Sequence, residues 1–322
     1  MQENVEPAIS RTGNRSIHSL HHHHGWDNSI IPALTIAPGE TVSFDMIDAS
    51  GGQLSAKSTI EAIENWDFKK VNPVTGPVFV DGASPGDALT VTIIDASPSP
   101  WGWTGNFPGF GLLSDQFPEP ALYHWTCDPT TLAPAAFSRF ARVPLKPFAG
   151  TIGVALAEPG HHSVVPPRRV GGNLDMRDLA AGAELFLPIE VPGALFSIGD
   201  GHAAQGDGEV CGSAIETPMK ASVRIDLIKG ANLRWPRATV TSQVTRHLDG
   251  MGYDVTVGIA PDLMQAARVA VSEMIELLTA RQGMTAVEAY MLCSVCLDLR
   301  ISEIVDQPNW VVAAYMPRIV FE

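Results

Sequence analysis

The chain has 322 residues, with 35 acidic residues against 21 basic ones and a net charge of −14. That balance excludes nucleic acid and anionic membrane as natural partners, and suits a protein acting on a small neutral or cationic ligand. Its 25 prolines, 29 glycines and 17% charged residues describe a turn-rich globular chain with enough apolar sequence for a large core, not a disordered one.

The first twenty residues mix Glu3, Glu6, Arg11 and Arg15 with polar neighbours and hold no apolar stretch of the secretory type. No window reaches about eighteen uninterrupted apolar residues. A cytoplasmic protein without membrane contact is expected. Cys127, Cys211, Cys293 and Cys296 are too few for a disulfide framework, and Cys293-Ser294-Val295-Cys296 reads as buried helix positions in an apolar run.

His21 to His24 form a run that closes on Gly25-Trp26. It is either a solvated polar run or a contribution of His22 or His24 to a substrate or metal site. Pro32 to Ile36 precedes a turn at Pro38-Gly39, after which Val42, Phe44 and Met46 alternate with polar residues, as in a half-buried strand. The pattern returns 47 positions on, at Pro85-Gly86-Asp87 with Leu89, Val91 and Ile93, so a duplication and two unrelated strands are both open. From Pro98 to Pro120 no regular period is visible. There Trp101, Trp103, Phe107 and Phe110 sit among glycines, able to wall a pocket or to cover one end of a β core.

Strand-like sequence resumes at Thr151 to Leu156. Gly171-Gly172-Asn173-Leu174-Asp175 then sets a carboxamide and a carboxylate two residues apart, on one face of an extended chain. Strands predicted at 184–190 and 193–198 lead to Gly199-Asp200-Gly201-His202-Ala203-Ala204-Gln205-Gly206-Asp207-Gly208-Glu209, a stretch too polar and glycine-rich to be core. If the strand continues, Asp200 and His202 share a face. A second strand is predicted to lead out through Val210 to Ile215, ending at Glu216. Val223, Ile225 and Leu227 mark a further strand. The helical sequence comes late: Asp262 caps a helix from Leu263 to about Ala280, Gly283 ends it, and Thr285 with Glu288 has capping-box spacing before a second helix running to about Glu303. Trp310 to Ile319 reads as a last strand.

The chemistry follows from the donor set. His202 with Asp200, Asp175 and Glu209 suits a divalent ion, zinc before calcium because of the imidazole. Such an ion supplies hydroxide at neutral pH, and Glu216 or Glu209 is then the carboxylate that moves the proton. Cys211, beside the site, is a weaker candidate for contact with substrate.

These segments together resemble the acetamidase/formamidase family: the Gly171 to Asp175 motif, the run from Gly193 to Glu209, Glu216, and similar sequence at 32–42, 76–80, 85–87, 288–290 and 298–300. The resemblance implies an α+β, mainly β fold, a jelly-roll-like β sandwich over 1–240 with an α+β part over 241–322 packed on it as one unit, usually in a homo-oligomer. It implies metal-dependent cleavage of the C–N bond of a small linear or cyclic amide. It carries metal roles onto Asp175, Asp200 and His202, with Asn173, Glu209 and Glu216 behind them. Substrate contact then falls to Asn173, His22 or His24, Trp101, Trp103 and Cys211. The rival reading is a non-enzymatic β-sandwich binding module tied together by an ion.

Overall fold

A computed structural model describes residues 15–240, 248–305 and 307–322. Two six-stranded sheets face each other. In the first the order is Arg15–Ile17, Glu40–Met46, Met219–Ile228, Ala88–Pro98, Glu184–Pro188, Arg237–Thr239, antiparallel except for the first pair. The two strands with similar sequence, Glu40–Met46 and Ala88–Pro98, flank Met219–Ile228 on either side. The second sheet runs Gly171–Asn173, Phe148–Gly153, Phe196–His202, Val74–Val80, His22–His23, with Leu34–Ile36 parallel to Val74–Val80.

The period-two pattern explains the sandwich. Val42, Phe44 and Met46 from one sheet and Ile152, Phe196 and Ile198 from the other turn inward and share one buried core, where the rings of Phe44 and Phe196 meet edge to face at 5.8 Å.

The C-terminal region is a three-stranded antiparallel sheet, in the order Tyr253–Ala260, Trp310–Pro317, Asp298–Glu303, covered on one side by the helix Leu263–Gln282. Asp262 caps that helix by accepting from the Gln265 N–H at 2.8 Å, and Gly283 ends it at φ 69°. The capping box of Thr285 and Glu288 is formed at the start of the helix Ala286–Cys296. Cys293 and Cys296 are buried there, and burial pushes both thiols up.

Three expectations need correction or completion, and one strand, Tyr253–Ala260, has no counterpart among them. The second helix stops at Cys296, not near Glu303. Leu297 is already extended, and Asp298 is drawn into a buried bidentate pair with Arg177, which starts a strand instead. Residues 210–215 form no strand. They lie in a buried loop held by helix Ala286–Cys296: Gly206 N–H donates to the Ser294 carbonyl at 2.9 Å, Cys211 N–H to the Ser294 hydroxyl at 3.1 Å, and that hydroxyl to the Ser213 carbonyl at 2.6 Å. The aperiodic aromatic segment contains a strand, Trp101–Asn106, paired with Ala121–Thr126. Tyr253–Ala260 carries its apolar residues outward, with Val255, Val257 and Ile259 exposed. Its other side takes the helix, and Gly258 marks the crossing, since a Cβ there would lie 1.9 Å from the Ala266 carbonyl oxygen. The expected boundary at 240/241 falls where 241–247 lie outside the described residues.

Candidate active site

The site forms where Phe196–His202 leaves the second sheet. In the ladder with Phe148–Gly153, Ala149 pairs with Gly201 and Thr151 with Gly199, so Gly150 comes opposite Asp200. Asp200 takes φ 61° and still presents its carboxylate beside His202. Asp175 follows the edge strand Gly171–Asn173, and its N–H donates to the Gly150 carbonyl at 3.1 Å, closing the loop onto the same point. The buried loop after His202 curls back, so that Ala203 N–H meets the Ile215 carbonyl and Thr217 N–H the Gly201 carbonyl, each at 2.8 Å. This return brings Glu216 to His202, with neither Glu209 nor Glu216 on a straight strand.

Four side chains each spend one polar atom on the protein and leave the other bare. Asp200 Oδ2 accepts from Asn72 Nδ2 at 3.2 Å and has the Thr151 hydroxyl, which donates to Asn173 at 2.6 Å, at 3.2 Å on its other side. Asp175 Oδ2 accepts from Asn173 Nδ2 at 3.0 Å, and Glu216 Oε1 from the Ala214 N–H at 2.8 Å. His202 Nδ1 lies 2.9 Å from Gln205 Oε1, and Gln205 Nε2 donates to the Asp175 carbonyl, so the amide accepts the Nδ1 proton, and in the neutral ring Nε2 is the nitrogen free to act as a ligand. The bare atoms are Asp175 Oδ1, Asp200 Oδ1, His202 Nε2 and Glu216 Oε2, all buried without a hydrogen-bond partner. His202 Nε2 is 3.2 Å from both Asp200 Oδ1 and Glu216 Oε2. Potential ligand atoms of Asp175, Asp200 and His202 lie within 4.8 Å of one another, as do those of His202, Glu209 and Glu216.

Leaving one buried acceptor unsatisfied costs about 1–3 kcal/mol, more if it is charged. Buried acceptor atoms left bare in this way are compatible with a divalent cation at the Asp175, Asp200 and His202 group, with the His202, Glu209 and Glu216 group beside it. The electrostatics agree. Burial, with Asp200 adding to it, raises the Asp175 carboxyl to about 7, and burial with Asp175 nearby holds Glu209 well above the usual carboxylate range. Burial opposes the charged form of His202, but Glu216 and Asp200 overcome it and hold the imidazole well above its ordinary value. Without a cation, these groups must keep protons to coexist.

A cavity of about 380 Å³ opens above this floor, lined by Asn72, Asn173, Asp175, Asp200, Glu209 and Glu216 and, opposite them, by aromatic rings that include Trp103, Phe107 and Phe110. Asn173 accepts through its carboxamide oxygen from Asn72 and Thr151 and donates one N–H to Asp175. Trp103 is buried in the wall with its indole N–H on Asp48. Trp101 does not line the cavity, and its indole N–H donates to His124. Cys211 does not line it either. Its sulfur points at the Gly105 carbonyl within the core, and burial pushes the thiol up to about 11. His22 is exposed, with Nδ1 on the Ser19 carbonyl. His24 lines a neighbouring cavity of about 480 Å³ with Lys69 and His161. Between them, His23 hydrogen-bonds the Ser197 hydroxyl and the Gly25 carbonyl and locks the run into the sheet. Sequence reasoning missed Asn72, Thr151, Gln205 and Gly150. Gln205 alone carried a trace, standing three residues after the histidine it orients.

Comparison with known proteins matches residues 10–160 and 154–322 to the model of the Acetamidase/Formamidase family. The chain belongs to this family. It is 30% identical over 263 residues to a Schizosaccharomyces pombe protein carrying the name formamidase, with 64% of each chain aligned. To the acetamidase of Mycolicibacterium smegmatis it is 31% identical over 270 residues, covering 65% of this chain and 66% of that one. The chain therefore spans just under two thirds of the length of these two relatives. The gamma lactamase of Delftia acidovorans superposes with a TM-score of 0.86 at 26% identity, over 94% of this chain and 90% of that one.

The raised carboxyl of Asp175 predicts an unusual pH dependence for the protein stripped of metal. Between about 3.8 and about 7 the folded state holds a proton that the unfolded chain releases. Its contribution to stability is complete below that window and is lost as the pH rises through it. Urea titrations of chelated protein across these pH values should show a falling midpoint, and a rising one would contradict the assignment. Adding a divalent ion should restore stability at the upper end.

Proposed function

We propose that this chain is a metal-dependent amidohydrolase that cleaves the C–N bond of a small amide with water, giving a carboxylic acid and ammonia or an amine. The observation that carries the reading is the set of four buried, partnerless acceptor atoms on Asp175, Asp200, His202 and Glu216. These residues would hold the cation. A nitrogen ligand among carboxylates favours zinc or a similar transition ion over calcium. When bound, such an ion polarises a carbonyl and acidifies water.

The protein's own groups supply the rest. Glu209 lines the cavity beside the ligand atoms, where its carboxylate can take a proton from the attacking water and deliver it to the leaving nitrogen. Of the two glutamates open as proton carrier, this reading takes Glu209, because Glu216 has one oxygen tied to the Ala214 N–H and the other at His202. Gln205 fixes the His202 ring, and Asn72, Thr151 and Asn173 fix the two aspartates. The helix Ala286–Cys296 and the Arg177 to Asp298 pair hold the loop that carries Glu209, which supports reading the sandwich and the C-terminal region as one unit.

The exposed apolar side of the C-terminal sheet, at Val255, Val257 and Ile259, supports a homo-oligomer, which the solution mass would check. Among the described residues no helix is long and apolar enough to cross a membrane. A cytoplasmic location rests on the sequence alone.

Ammonia release from a panel of simple amides, measured with native, chelated and His202→Ala protein, tests the reading. Activity is expected in the first sample and at least about a hundredfold less in the other two. Activity that survives chelation and metal removal would sink the metal mechanism. A folded, metal-loaded protein inert to every amide would favour the binding module.

A further inference from the structure

The cavity has two chemically opposite ends. Its floor is polar and faces the proposed metal ligands, whereas the facing wall is a patch of rings: Trp66, Phe68, Trp103, Phe107 and Phe110. The rings touch one another in series. Trp66 lies 4.7 Å from Phe107 and 5.8 Å from Trp103, and Phe68 lies 6.0 Å from Phe110, centroid to centroid. Phe68 and Phe110 are 53% and 40% exposed, although each has other rings to pack on. Beyond them the wall continues outward, because Phe68, Val71 and Val165 also line the neighbouring cavity of about 480 Å³.

Size and chemistry together speak against the smallest amides. At about 30 Å³ for each water, a space of this volume holds roughly a dozen waters, several times more than a three- or four-atom amide displaces. Cavities of about 300–1,000 Å³ take ligands with a ring or more. Water against the rings of Trp66, Phe68 and Phe110 is poorly hydrogen-bonded, and an apolar group that displaces it is favoured.

We propose that the substrate is a carboxamide bearing a ring-sized apolar group, seated against Trp66, Phe68 and Phe110 while the amide lies over Glu209 and Glu216. This rests on the amidohydrolase reading and narrows it. The bond changes are those of ordinary hydrolysis: water oxygen joins the carbonyl carbon, the C–N bond breaks, and the proton goes to nitrogen.

Formamide, acetamide and phenylacetamide all release ammonia, so one assay compares them. With the metal-loaded protein, kcat/KM for phenylacetamide should exceed that for acetamide by at least about tenfold. In Phe68→Ala and Phe110→Ala, both at exposed positions, the ratio of the two should fall by about tenfold. Binding provides a separate readout. In Glu209→Gln, quenching of tryptophan fluorescence should report phenylacetamide binding about tenfold tighter than acetamide. If acetamide or formamide is turned over as efficiently as phenylacetamide, this inference is overturned while the amidohydrolase reading stands. If no amide is hydrolysed, that reading fails, and equal binding of the two amides would overturn the pocket assignment as well.

Discussion

Gly150→Ala should empty the proposed metal centre while leaving the sandwich folded. Gly150 lies in Phe148–Gly153, directly opposite Asp200, and its backbone is not left-handed, so alanine can adopt it without strain. The added methyl carbon would stand 2.6 Å from Asp175 Oδ1, 2.8 Å from Asp200 Oδ2 and 2.8 Å from His202 Cε1. All three contacts are side-chain atoms of the site, so the strain falls on the ligands rather than on the sheet. Metal sites tolerate shifts of only about 0.2 Å, and the displacement needed here is larger. Metal affinity is expected to fall by about ten- to a hundredfold and amide hydrolysis with it. Metal content after dialysis reads the first effect. Circular dichroism should remain that of the parent, and thermal unfolding should match the chelated parent rather than the metal-loaded one. A variant that keeps its metal and activity would remove the ligand assignment.

That glycine illustrates what the sequence can and cannot disclose. The polar stretch from Gly199 to Glu209 stands out because no core could absorb it, and alternation in a strand puts Asp200 beside His202, which the structure bears out at 3.2 Å. The helices of the C-terminal region are legible from their caps, Asp262, Gly283 and Thr285, since capping is local chemistry. Gly150, Asn72 and Thr151 sit in ordinary strand or turn sequence. Their importance comes from register and from contacts across the sheet, at separations of 49 and 128 residues for those to Asp200. The same limit explains the misjudged second helix. Nothing near Asp298 in sequence announces Arg177, 121 residues away, whose guanidinium draws that carboxylate into the core and breaks the helical run. Residues 253–260 escaped notice for a different reason. Their apolar side faces out and a glycine faces in, which inverts the pattern that marks a half-buried strand.

Glu209→Gln is expected to lower kcat by about a hundredfold to ten-thousandfold while metal content and KM change little. The substitution is nearly isosteric, so it keeps the cavity shape and removes only the capacity to take and return a proton. Glu216→Gln should behave differently. It replaces an anionic oxygen 3.2 Å from His202 Nε2 by a neutral group, and the loss should appear first in metal affinity. The pair of variants therefore separates a proton carrier from a ligand, which activity alone cannot do. Metal analysis and steady-state kinetics on the two proteins, each titrated with zinc, decide it. If Glu209→Gln loses its metal and Glu216→Gln keeps it, the roles are the reverse of those proposed. If Glu209→Gln retains full kcat, the proton must travel by another route. The pH profile adds an independent check. Glu209 must be ionised to accept the proton, so parent activity should fall as the solution is acidified, and the limb of the profile that reports this ionisation should be missing from the residual activity of Glu209→Gln.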